Sequence, residues 1–285
     1  MWHKRGILGY LARNRKMVVG LCLLLALLLF STIGALVYDV SKVSPLSAPV
    51  SQPPSRAYPL GTDSQGRDLL AAMILGTPLT IRIGVTAGFL GLFVGTVLAF
   101  VSAYYGGVVD GIIRGVVDLG LTVPGLLVLI IVAVWSKGNL SIEQMSLVVA
   151  SLAWVHPTRV IRAQVLSLRE KSYIQVARLS GMNGITIIVK EMIPNLLPYL
   201  AAQLVSAVAG ATLASIGLEA LGLGSMQTPT LGITIYWAIF FSALLLGMWW
   251  WFLPPIAIIV ILILGLFNVS AGLDELANPR LRRSV

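Results

Sequence analysis

Ala220-LGLGSMQTPTLGITIYWAIFFSALLLGMWWWFLPPIAIIVILILGLFNVSAG-Leu273 runs for 54 residues without a charged side chain. How often it crosses an apolar layer decides the fold. At about 20 residues per membrane-spanning helix it is long enough for two crossings. The charges around it argue for one. A basic segment precedes it by one apolar span, with Arg159, Arg162, Arg169, Lys171, Arg178 and Lys190 against Glu170 and Glu191, and Arg280, Arg282 and Arg283 follow it. Positive residues collect on the cytoplasmic side, so a single crossing returns the tail to the side of the basic segment. Thr230 to Leu246 is therefore predicted as a helix that dips into, or lies against, the outer leaflet, and Phe252 to Ser270 as the last span. Trp249, Trp250 and Trp251 then fall at the outer interface, where indoles are favoured. Packing of one of the three in the core is the alternative.

Working outward from that run, Met192 to Leu218 and Ile83 to Val109 are each 27 residues without charge. Gly84, Gly88, Gly91 and Gly95 recur in the second at spacings that let two membrane helices approach closely. Ile112 to Trp135 and Ile142 to Ile161 make two further spans. The uncharged run Met17 to Tyr38 has 22 residues, longer than the apolar core of a signal peptide, typically about 7 to 15 residues; it reads as a retained helix behind a basic N-terminus. The fold class is an all-α membrane protein of six transmembrane helices with both termini cytoplasmic. Its parts are a basic cytoplasmic N-terminus (1–16), the first helix (17–38), a Pro- and Ser-rich extracytoplasmic segment (39–68), a five-helix core (69–275) with a cytoplasmic loop at 162–191, and a cytoplasmic tail (276–285). Asp63 or Ser64 is placed to cap the helix after the Pro-rich segment.

The composition agrees. Of 285 residues 57% are hydrophobic and 11% charged, against about 25% charged in an average soluble domain. The net charge of +9 does not make a nucleic-acid surface, because the basic residues lie in clusters between apolar runs. One cysteine, Cys22, and two histidines, His3 and His156, build neither a disulfide nor a Cys/His metal site. No GxxxxGK[ST], HExxH or GxSxG occurs, and no carboxylate pair is spaced for acid–base work. The chain is read as no enzyme, with no catalytic residue, no cofactor and no metal.

The segment Ser172-Tyr-Ile-Gln-Val-Ala-Arg-Leu-Ser-Gly181 in the basic loop predicts a short helix. Tyr173, Val176, Ala177 and Ser180 share one face, and Gly181 is placed for a left-handed cap. Small residues exposed on that face would let a partner come close, although a loop between spans can hold such a helix without a partner.

This segment resembles the EAA loop of ABC importer permeases, through Gln175-Val176-Ala177, Gly181 and Met192-Ile193-Pro194. The name-giving Glu is Gln175 here and the first Ala is Val176. Leu60-Gly-Thr-Asp-Ser-Gln-Gly-Arg-Asp68, Tyr104-Tyr-Gly-Gly, Arg162 to Glu170, Leu221-Gly-Leu-Gly and Asp274 to Arg282 are similar, in the same order, to the second permease of the dipeptide, oligopeptide and nickel importers. The resemblance implies a type I ABC importer permease in the cell membrane. It implies four kinds of partner: the lipid bilayer, a second homologous permease, two cytoplasmic ATPases that hold ATP and Mg, and an extracytoplasmic substrate-binding protein. It further implies that 172–182 is the coupling helix, with Tyr173, Gln175, Val176, Ala177, Ser180 and Gly181 facing an ATPase.

Cargo is less legible. Peptides are the expectation and oligosaccharides the alternative; an ATPase-independent secondary transporter is the rival of another class. Pathway candidates are Arg82, Asp118 and Trp237. Arg82 either meets cargo or snorkels to headgroups, Asp118 either gates or pairs with Arg114 at i,i+4, and Trp237 offers a ring for stacking.

Overall fold

The computed structural model describes residues 14–135 and 140–277. The basic residues before Asn14, the start of the 137–143 loop and the arginines of the tail lie outside them. Among the described residues the chain is helical apart from turns and one isolated bridge between Thr62 and Asp68.

Helix α1 (Arg15–Val37) begins where Asn14 accepts a hydrogen bond from the Met17 amide, and it packs along α10 (Trp249–Ala277). Gly20 makes this possible, since a β-carbon there would stand 2.7 Å from the Gly265 carbonyl oxygen. The two helices run antiparallel: Asn14 donates to Glu275 at 2.7 Å and Lys16 pairs with it at 2.8 Å. Both ends of the described chain therefore lie at one end of the bundle.

The central helix is α2 (Leu69–Tyr105), 37 residues, about 55 Å at 1.5 Å per residue. It begins 14 residues before the predicted span at Ile83, because its first turns are buried under the Pro-rich segment. Asp68 caps it, accepting from the Leu70 and Ala71 amides. This corrects the expectation of Asp63 or Ser64: the Asp63 carboxylate is already taken by the amides of Gln65 and Arg67 and by the Arg67 side chain. The glycine spacing does what small residues allow. Gly84 and Gly88 face Thr212 and Val208 of α8 (Gly184–Ala220), and a β-carbon on Gly88 would lie 2.7 Å from the Val208 backbone. Gly91 and Gly95 face Ala153 and Trp154.

Two predicted spans are interrupted. In place of one helix over 112–135 there are α3 (Gly107–Thr122) and α4 (Gly125–Trp135), bent by 91°. Pro124 disfavours helical backbone at the residue before it, and Val123 is extended at φ −79°, ψ 134°. In place of one helix over 142–161 there are α5 (Ile142–Ala153) and α6 (Val155–Arg169), with the break at Trp154. Pro157 supplies no N–H for the Ala153 carbonyl, so the helical ladder is broken there. Helix α8 starts at Gly184, earlier than the predicted Met192, and widens to a π turn over Ile188–Met192 just before Pro194 removes another donor.

Helix α9 (Leu231–Phe240) has 10 residues, about 15 Å and too short to cross. It ends six residues before the predicted Leu246, and Ser242 and Gly247 turn the chain at φ 53° and 69°. Helix α10 then starts at Trp249 and passes well beyond the predicted 252–270. Trp251 is fully buried, Trp250 donates to the Thr62 carbonyl and Trp249 is exposed, so one indole of the three is core. Among the described residues four helices (α1, α2, α8, α10) are long and apolar enough to cross a membrane, and the bent pair α3–α4 would make a fifth.

Candidate functional site

The EAA-like segment folds as α7 (Ser172–Leu179), and its C-terminus is built as the sequence predicts. Gly181 sits at φ 79°, its amide donates to the Arg178 carbonyl at 3.0 Å, and the Met182 amide donates to the Ala177 carbonyl at 3.2 Å. That pair of bonds is a Schellman cap. The face differs from the expectation at one position. Ala177 is buried with Ile174 against Ala99, Phe100 and Ala103, whereas Val176 is 61% and Leu179 88% exposed. Ile174 and Ala177, three apart, form the inward stripe of a short helix, so the outward side carries Tyr173, Gln175, Val176, Arg178, Leu179 and Ser180, with Gly181 at its end. Burial and the nearby Glu191 carboxylate push the Tyr173 phenol up, so it stays neutral. The outward side sets apolar Val176 and Leu179 beside Tyr173, Gln175, Ser180 and the Arg178 cation, on a backbone closed by the glycine cap.

Charged groups of α6, the helix before it, reach the α2–α3 connection. The Arg162 guanidinium forks onto Asp110, Nε to Oδ1 and Nη2 to Oδ2, both at 2.6 Å. Ser102 donates to Asp110, and Arg169 donates to the Ala103 carbonyl at 2.9 Å. The predicted pairing of Arg114 with Asp118 is not among the ion pairs of the described residues; Arg162 of α6, reaching across to α3, takes Asp110 instead. Asp118, Arg114, Arg159 and Arg162 line a cleft of about 240 Å³ between α3 and α6. A second cavity, about 230 Å³, lies where the α5–α6 break faces α8, with His156, Gln203 and Ser206 among apolar walls.

The other pathway candidates sit elsewhere. Arg82 pairs with Glu143 at 2.7 Å with both side chains more than 60% exposed. Trp237 lies in an aromatic cluster with Phe240 and Phe241, its ring 5.6 Å from the Arg67 guanidinium. That Arg67 belongs to the Gly-Thr-Asp-Ser-Gln-Gly-Arg-Asp motif, which folds as a cap over the α2 and α10 starts: Asp63 and Arg67 pair at 2.7 Å in the interior, and Tyr38 donates to Asp68 at 2.6 Å. Cap and α7 occupy opposite ends of the long helices. Among the described residues no three His, Cys, Asp or Glu side chains are placed to hold a metal ion.

Residues 91–283 match the family of binding-protein-dependent transport system inner membrane components. The chain belongs to that family. The match runs from the middle of the α2 glycine stripe and takes in α7, its cap and α10. A permease of this family is a multi-pass membrane protein, which the long apolar helices provide. The dipeptide transport system permease protein DppC of Bacillus subtilis is 30% identical over 286 residues, 96% of this chain and 84% of that one. The oligopeptide transport system permease protein OppC of Mycobacterium tuberculosis is 33% identical over 182 residues, 64% of this chain, and the chain spans 62% of that relative's length. OppC of Bacillus subtilis is 28% identical over 81% of this chain and 78% of its own.

Sequence reasoning passed over Asp110 and Ser102 as site residues, and also the cavity at His156 and Gln203. The signal for Asp110 was present: it is a lone carboxylate beside a long apolar run, and charges in such places are held by a partner. Its partner, 52 residues away, had no signal in spacing.

Proposed function

We propose that this permease is one of two homologous membrane subunits of an ATP-driven importer of di- or oligopeptides, and that α7 is its coupling helix. The observation that carries the reading is the likeness to a dipeptide permease over 96% of this chain, with an exposed helix at the EAA-like segment. The helix supplies what an ATPase cleft needs, an exposed face of Tyr173, Val176 and Leu179 on a backbone fixed by its Schellman cap. Six crossings with cytoplasmic termini suit the positive-inside bias, with α5–α6 as the remaining span beside the four long helices and the bent pair. ATP and Mg belong to two partner ATPases, and a binding protein delivers cargo on the side of the cap.

Peptide cargo is favoured over oligosaccharide because the relatives are named for peptides. Of the pathway candidates Asp118 opens on a cleft, whereas Arg82 is engaged at the surface and Trp237 is packed in the cap. A secondary transporter is disfavoured by the family's dependence on a binding protein. The test is uptake of labelled peptides and oligosaccharides by the reconstituted complex, with Gly181→Trp as the perturbation. At φ 79° a non-glycine residue is strained, so Gly181→Trp is expected to abolish ATP-driven peptide uptake and weaken co-purification of the ATPases. Undiminished uptake by the variant would reject the coupling role, and uptake of oligosaccharides alone would reject the cargo.

A further inference from the structure

Arg162 and Asp110 stand apart from α7, yet every fastening of the α7 segment described above leads to one place, residues 99–110. Before α7, Arg162 grips Asp110 and also donates to Ser102 at 3.0 Å, and Arg169 holds the Ala103 carbonyl. Beneath α7, Ile174 and Ala177 are buried in the same apolar cluster as Ala99, Phe100 and Ala103. After α7, Gly184 meets Tyr104 so closely that no side chain fits. Between the last turn of α2 and Asp110 lie Gly106 and Gly107, both at positive φ and with nothing within 4 Å of where a β-carbon would stand. The α2–α3 connection is thus a glycine elbow with open space at its turn, bridged by Ser102 and Asp110 and gripped on both arms by Arg162.

We infer that this elbow receives the motion of the coupling helix, and that Arg162 and Asp110 are positioning residues that carry it from α6 into α3. The inference rests on the permease reading and adds the route inside the membrane domain. Two parallel N–H···O bonds resist rotation as well as translation, which a single contact does not. With side chains only 21% and 18% exposed, the pair is screened weakly by solvent and keeps its geometry under load. A displacement of α7 therefore turns α3 about Gly106–Gly107, and through α3 moves the walls of the cleft at Asp118.

The test uses the complete importer, with its ATPases and binding protein, in proteoliposomes. Asp110→Asn keeps the shape but loses the charge, and Arg162→Lys keeps the charge but loses the fork. Each is expected to lower peptide uptake about tenfold or more while ATP hydrolysis and the yield of assembled complex stay within about twofold, and exchanging the two charges should restore part of the uptake. Merely structural glue behaves otherwise: uptake, hydrolysis and yield would fall together, which would overturn the inference. Normal uptake in both single variants, with Gly181→Trp inactive, would remove the elbow route and leave the coupling helix intact. Normal uptake in all three would remove the coupling role of α7 together with the elbow route, and no peptide uptake by the unaltered complex would remove the permease reading beneath both.

Discussion

Tyr38 donates to Asp68 at 2.6 Å while the other oxygen of Asp68 caps α2, so one carboxylate joins the end of α1 to the start of α2. Burial first, and the Asp68 carboxylate second, push the Tyr38 phenol well above its ordinary value of 10.0. The sign of the linkage follows: a group whose pKa is raised by folding contributes stability that is fully present below its unfolded pKa and is lost as pH rises through the folded value. The cap should accordingly hold up to about pH 10 and loosen above it. Tyr38→Phe removes the bond and is expected to cost about 1 kcal/mol at neutral pH, while losing this alkaline component. Thermal unfolding of the purified protein between neutral pH and pH 11, wild type beside the variant, reads both effects. Equal alkaline losses in the two would assign the loosening to another group. The neighbouring Asp63–Arg67 pair lies deeper, with side chains 2% and 10% exposed; it holds a turn whose Gly61 and Gly66 have positive φ.

Helices were more legible in outline than in continuity. The α7 helix with its glycine cap and the close contact along the α2 glycines could be read, because each follows from local rules, a Schellman glycine and small residues at helical spacing; α9 could be read in place but not in length, since the apolar run continues past the turn at Ser242. The breaks at Val123 and Trp154 were missed although Pro124 and Pro157 were in view, since an uninterrupted apolar run reads the same whether the helix within it is straight or broken. Which face of α7 turns inward was illegible for another reason: Ile174–Ala177 and Val176–Leu179 are both apolar, and only the position of α2 and α6 decides between them. The 91° bend at Pro124 is testable at this scale. If proline sets it, Pro124→Ala should partly straighten α3–α4, and spin labels at Gly111 and Val134 should move apart in pulsed dipolar measurements. An unchanged distance would assign the bend to packing of α4 on α5 and α8.

At the scale of the whole molecule, the two ends are built differently. One carries the α7 face, the basic residues of α6 and the Asn14–Glu275 contact; the other carries the cap, with Trp250 bound to Thr62 and Trp251 buried beneath it. The proposed importer role would use this polarity, with α7 as the docking helix on the ATP side and the cap as the rim on the side from which cargo arrives. Four long helices connect the ends, and the glycines along α2 bring it close against α8 and the α5–α6 break. The polarity predicts opposite accessibility for two exposed positions, Val50 in the cap and Leu179 in α7. In a Cys22→Ser background, needed because Cys22 is itself exposed, Val50→Cys should react with a membrane-impermeant maleimide on intact cells. Leu179→Cys should react only after the membrane is opened, and less when the ATPases are co-expressed, because their cleft would cover it. Labelling of both positions from outside would break the parity on which six crossings rest. Labelling of Leu179→Cys unaffected by the ATPases would instead leave the topology standing and move the docking surface off α7.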